Sequence, residues 1–166
     1  MFISFEDMPP QSRVWVYQSN RQLTNGEQLK IAEIAKPFME QWAAHNQALK
    51  CSFRFFYDYF LVISVDESFN QASGCSIDAS VHLVKQIERQ FELDFFDRTK
   101  VAFLKEDNVF LESINSLKER VVEGSVADHT LTFNNLVKDK GELMTKWTVP
   151  ASASWLKRYF PKVEQH

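Results

Sequence analysis

The sequence predicts a mixed α+β fold, and three features of its 166 residues carry that expectation. Two stripes of apolar residues recur at three- and four-residue steps, the signature of amphipathic helices. Runs rich in β-branched and aromatic residues stand before, between and after them and read as strands. The two runs between the stripes are separated only by Asp58-Tyr59, short enough to demand an antiparallel hairpin. The order strand-helix-strand-strand-helix-strand is that of a ferredoxin-like βαββαβ sandwich, an antiparallel sheet with two helices on one face.

The first strand covers 12–18, between the Pro9-Pro10 break and the turn cluster Thr24-Asn25-Gly26. The first helix starts at Glu27, carries Ile31, Ile34, Ala35, Phe38, Met39 and Trp42 on one face, and ends near His45-Asn46, where His45 would meet the negative helix end. Pro37 should kink or divide it, because proline lacks an N–H donor and crowds the preceding turn. Residues 51–57 and 60–65 form the hairpin, with Cys51 alternating with Phe53 and Phe55 and so directed into the core. The second helix shows Ile77, Val81, Val84, Ile87 and Phe91, and the fourth strand is 99–104. This unit spans 1–107 of a single domain over 1–166. The extension, 108–166, is expected to hold a short strand at 108–111, a helix marked by Ile114, Leu117 and Val121, an extended piece at Leu131-Thr132-Phe133, and a last short helix capped by Ser152 or Ser154 and stopped by Pro161. Trp147, Trp155, Tyr159 and Phe160 make it too aromatic for a disordered tail, so it should pack back onto the unit.

Composition narrows the function classes. The net charge is -3, from 19 Lys+Arg against 22 Asp+Glu, with no basic run, so a nucleic-acid footprint is not expected. Phe53, Phe55 and Phe56 lack the basic RNP-like surroundings of an RNA platform and are assigned to the core or to the seat of the C-terminal segment. No apolar run reaches the roughly 18 residues that span a bilayer. Glu6 and Asp7 stand where a signal core would continue, and Cys51 and Cys75 form neither a disulfide framework nor a zinc spacing, so the expected location is cytoplasmic with reduced thiols. The four glycines build no Gly-x-x-x-x-Gly-Lys-Ser/Thr loop, and no cofactor is expected.

The densest polar stretch is 66–78, between the hairpin and the second helix. Asp66, Glu67, Asn70, Gln71, Ser73, Gly74, Ser76 and Asp78 are its candidate ligand-binding residues. Cys75 is the candidate nucleophile, because the open N–H groups and positive dipole end of a helix start favour an anion or a thiolate. A nucleophile also needs a base, and His82, His129 and Asp66 are the candidates, none at a diagnostic spacing. The same residues serve a plain helix start equally well: Ser73 or Ser76 as cap, Gly74 for a tight turn, Asp78 against the dipole. Cys75, Asp78 and His82 share a helix stripe, but it lies nearly opposite the Ile77/Val81/Val84 face and so meets solvent, and no metal site is expected. His129 belongs to an exposed turn. The expected function is a non-enzymatic domain that binds a protein or a small-molecule ligand through 66–78, with homodimerisation by sheet edge or helix face as an option. The alternative is a thiol-dependent hydrolase or transferase using Cys75.

The runs Ser12-Arg13-Val14-Trp15-Val16-Tyr17-Gln18, Val65-Asp66-Glu67-Ser68-Phe69-Asn70-Gln71-Ala72-Ser73-Gly74-Cys75-Ser76-Ile77-Asp78 and Phe133-Asn134-Asn135-Leu136-Val137 resemble a family of small uncharacterised bacterial proteins. The resemblance covers almost the whole chain. Some members carry the label ABC transporter ATPase. The resemblance implies a distinct fold unit without an established activity and, through that label, an ABC-transporter-related ATPase as a third functional reading.

Overall fold

The computed structural model describes residues 1–161, and in it the chain is mixed α+β with antiparallel sheets. Strand β1 (Arg13–Gln18) leads to helix α1 (Asn25–Gln41), whose first turn is closed by a capping box between Thr24 and Glu27. A minimal hairpin, β2 (Ala43–Ala44) with β3 (Gln47–Ala48), precedes the long hairpin of β4 (Lys50–Phe56) and β5 (Phe60–Asp66). Helix α2 (Gly74–Phe91) follows, then β6 (Lys100–Lys105) and β7 (Asn108–Ser113). The remainder holds helix α3 (Leu117–Glu123), strand β8 (Leu131–Phe133), helix α4 (Lys140–Lys146) and strand β9 (Thr148–Pro150). A final 3-10 turn, Trp155–Tyr159, is capped by Ser154, whose Oγ accepts the N–H of Leu156 at 3.1 Å. Among the described residues no helix is long and apolar enough to cross a membrane.

The strands form two main sheets, ordered β1-β5-β4 and β7-β6-β8-β9. The expected fourth strand of the first sheet thus exists but sits elsewhere. After the two-residue turn Glu106-Asp107, β7 pairs along the whole of β6, from Lys105↔Asn108 to Lys100↔Ser113, and β8 takes the other edge. β6 is thus built into the second sheet, and β1 reaches it through a side chain, Gln18 Nε2 donating to the Lys100 carbonyl at 3.1 Å.

Pro37 does not divide α1, which runs on through it. Proline costs the helix one hydrogen bond, and the carbonyl left without its donor belongs to exposed Glu33, where water can serve it. The buried anchors Ile31, Ala35 and Met39 hold both halves to the core. His45 is not at a helix end. It sits with Asn46 in the β2-β3 turn, both at positive φ. Tyr57-Asp58 and Glu106-Asp107 turn the other two hairpins in the same left-handed conformation without glycine.

Both faces of the first sheet are covered, and β5 is buried at every residue. Towards the helices, Ile31, Met39, Val84 and Ile87 pack on Cys51, Leu61 and Ile63. The opposite face, Val14, Phe60 and Val62, is covered by Phe133, Val137, Leu143 and Trp147 of the C-terminal segment. Here Phe60, Phe133 and Trp147 form a triangle of rings with centroids 4.6, 4.8 and 5.0 Å apart. Each such pair adds about 0.5–1.5 kcal/mol beyond simple burial. A third cluster, including Phe103, Leu117, Val126 and Leu156, closes the second sheet.

Candidate functional site

The 66–78 segment leaves the end of β5 and enters α2, and most of its polar groups are used to hold its own shape. Asp66 is buried, and its Oδ1 accepts the N–H of Ser68 at 3.0 Å and the Ser68 hydroxyl at 2.6 Å. Glu67 Oε2 accepts the N–H of Ala72 at 2.9 Å, while its Oε1 lies 3.9 Å from Arg13 Nη1. Asn70 Nδ2 donates to the carbonyls of Ala44 and Gln47, both at 3.0 Å, tying the loop to the β2-β3 hairpin. Ser73 Oγ accepts the N–H of Ser76 at 3.1 Å and Ser76 Oγ accepts the N–H of Ser73 at 2.7 Å, a capping box made of two serines. The indole N–H of Trp42 donates to the Ser76 carbonyl at 2.8 Å, fixing the start of α2 against the end of α1.

Two roles expected for this helix start do not hold. Gly74 is the first residue of α2, carries no positive φ, and a Cβ there would meet nothing within 4 Å, so no tight turn demands glycine. Asp78 is the fifth helical residue, beyond the first turn, which holds no acid. It stays exposed, as do Ser68, Gln71, Gly74 and Cys75.

The residue that sequence reasoning passed over is Phe69. It is 85% exposed at the outer part of the braced loop, and its only signal in the sequence is an aromatic placed among polar neighbours.

Cys75 is exposed at the second position of α2. Among the described residues none of the candidate bases is hydrogen-bonded to it. His82 lies two turns further along the helix, about 10 Å away along the axis. His129 is 87% exposed and hydrogen-bonded to its neighbour Asp128 at 3.1 Å, and the Asp66 carboxylate is engaged by Ser68. The stripe Cys75, Asp78, His82 faces solvent as expected, with His82 on the rim of a shallow groove of ≈ 780 Å³ between α1 and α2. Among the described residues no group of three or more His, Cys, Asp or Glu could hold a metal ion.

Compared with known proteins, the chain matches no family model, no curated protein and no solved structure.

Proposed function

We propose that this chain is a non-enzymatic, cytoplasmic domain that recognises a protein partner through the 66–78 loop, with Phe69 as the anchor. The observation that carries this reading is the 85% exposure of Phe69 on a loop most of whose polar side chains are spent on bracing it. An aromatic left in water forgoes about 1.5–3 kcal/mol that a partner's pocket would return. A loop already fixed loses little further freedom on binding, and rigid aromatic anchors dominate interface energetics. The two free cysteines accord with a reducing compartment. We read α1, α2 and the β1-β5-β4 sheet as a ferredoxin-like unit without its fourth strand, because that is the order its first three strands take. Kinship with the small bacterial family is part of the same proposal. Its ATPase label requires nucleotide binding in the presence of Mg²⁺, and equilibrium dialysis showing none removes that third reading.

The test replaces Phe69 with a photo-crosslinking aromatic in the producing cell, with the same group at exposed Leu29 on α1 as control. A discrete crosslinked protein at 69 and not at 29 supports the loop. No product, or the same products at both positions, overturns it.

The thiol-enzyme reading keeps one supporting observation, the exposure of Cys75 at a helix start. With no candidate base hydrogen-bonded to Cys75 among the described residues, it ranks second.

A further inference from the structure

Helices α1 and α2 press Ile31, Met39, Val84 and Ile87 into the core against the first sheet and leave the groove of ≈ 780 Å³ between them open. Its floor is apolar. Ile34 and Phe38, one turn apart on α1, line one wall, and Ala79 and Leu83, one turn apart on α2, line the other. Ile34, Phe38 and Ala79 are only half-buried. The rim is polar and comes from α2, where His82, Lys85, Gln86 and Arg89 form one exposed stripe along about 10 Å of the helix axis.

No carboxylate lines this groove, in a chain whose 22 acids outnumber its 19 Lys and Arg. Among the described residues neither Lys85 nor Arg89 has an ion-pair partner. Lys85 stands on the crest of α2, its Nζ 5.8 Å from the centre of the Phe96 ring, and with Arg89 it also lines the hollow on the other flank of the helix. The acids of that hollow, Glu88 and Asp94, accept the N–H groups of Phe95 and Phe96 at 2.6 and 2.8 Å and are held by the loop after α2.

The walls decide what shape of segment fits. The Glu33 carbonyl apart, their main-chain groups are spent within α1 and α2, so an extended segment would find nothing to pair with its own N–H and C=O groups. A helix brings its backbone already satisfied and packs on other helices at about 8–10 Å.

We propose that this groove seats an amphipathic, acidic helix of a partner protein, with its apolar face on Ile34, Phe38, Ala79 and Leu83 and its carboxylates against Lys85 and Arg89. His82 and Gln86 would add hydrogen bonds at the rim. Burial of the floor would supply affinity, and the two cations would select the partner. A second copy of α1 or α2 is the poorer occupant. In α1 exposed Glu33 and Glu40 are matched by exposed Lys30 and Lys36, and α2 carries the basic stripe itself, so each brings cations to a cationic groove. The inference goes beyond the Phe69 loop and stands without it.

The probe is a fluorescent peptide of about five helical turns, with leucines along one face and glutamates along the other. One control peptide carries lysine for each glutamate, and a second carries glutamine for each leucine. Fluorescence anisotropy with the full chain reads affinity, and circular dichroism reads the helicity that the peptide gains. The Leu-Glu peptide should bind saturably as a helix and lose about tenfold in affinity in Lys85→Glu and in Arg89→Glu, both at exposed positions. Lys118→Glu, exposed on α3, should leave affinity unchanged. The proposal is overturned by no saturable binding, by equal binding of either control peptide, or by an equal loss in Lys118→Glu, which would mark net charge alone. It is overturned as well by binding to phosphatidylglycerol vesicles in place of the peptide, which would mark a lipid surface, or by a dimer in sedimentation that Lys85→Glu disperses, which would mark a second copy.

Discussion

The indole N–H of Trp147 donates to the side-chain oxygen of Asn135 at 2.9 Å. The other end of that amide donates to Gln18 Oε1 at 3.0 Å, and Gln18 Nε2 donates to the Lys100 carbonyl at 3.1 Å. This chain of bonds joins the aromatic triangle to β1 and to the first residue of β6. Asn135→Leu strands the buried indole N–H and should cost about 1–3 kcal/mol in urea unfolding. Trp147→Phe removes the donor together with part of the ring packing, and the double variant should be less destabilised than the sum of the two. Strict additivity would show that the bond carries no energy.

Lys140 acts as an internal clamp. Its Nζ donates to the carbonyls of Phe5, Glu6 and Met8 at 2.9, 3.1 and 2.8 Å, and lies 5.2 Å from the centre of the Phe5 ring. Lys140→Met should cost about 2 kcal/mol, in the range for hydrogen bonds to a charged group. Amide exchange of Asp7 and Met8, whose N–H groups close the adjacent turn, should accelerate with it. Unchanged exchange there would mean that the turn holds without the clamp.

Acid should probe one defined pair. Arg21 grips Glu27 with two bonds, at 2.9 and 2.6 Å, and the N–H of Thr24 adds a third at 3.0 Å. Arg21 first, then Thr24, hold the Glu27 carboxyl down to about 2, from an ordinary value of 4.5. Because the folded value is the lower one, the stabilisation is full above about 4.5 and is lost as the pH falls through about 2. Glu27→Gln should flatten the stability-versus-pH curve across that window and leave its slope near neutrality alone. A curve parallel to that of the unaltered protein would refute the assignment.

The two thiols should separate cleanly. Cys51 is 0% exposed and burial pushes its thiol up to about 11, whereas Cys75 is exposed. Iodoacetamide should therefore modify Cys75 alone under native conditions and reach Cys51 only in denaturant, as read by peptide mass. Labelling of Cys75 faster than that of the unfolded chain would raise the thiol-enzyme reading above the binding one.

Asp107→Gly should stabilise the protein by about 1 kcal/mol, because Asp107, at φ 65, occupies the left-handed region where a side chain is penalised. Its place in the β6-β7 turn is exposed, so no packing is lost. A drop in the urea midpoint would show that the aspartate side chain matters there.

The parts of the fold legible in the sequence are those written in local periodicity. The stripe Ile31, Ala35, Met39 and the stripe Val84, Ile87 mark helices because they recur at the helical step. Helix α4 was illegible for the same reason: of Lys140–Lys146 only Leu143 is buried, and a single anchor has no period. The partition into two sheets was hidden as well, since 100–105 reads as a strand in either and nothing local says that it pairs with β7 and β8. At the site, the serine cap of α2 was readable from Ser73 and Ser76. The role of Asn70 depends on the carbonyls of Ala44 and Gln47, which the fold alone brings near.

The two coats of the first sheet are drawn from opposite ends of the translation order. Helices α1 and α2 emerge in time to cover one side, whereas Phe133, Val137, Leu143 and Trp147 leave the ribosome late, at roughly 5–20 residues per second. For that interval the Val14, Phe60, Val62 side of the nascent chain has only its earlier partners, such as Phe5 and Ala102, and the rest of its apolar surface is open to neighbouring chains. A chain cut short before Phe133 keeps that part of the surface open permanently and should aggregate instead of persisting as a smaller domain.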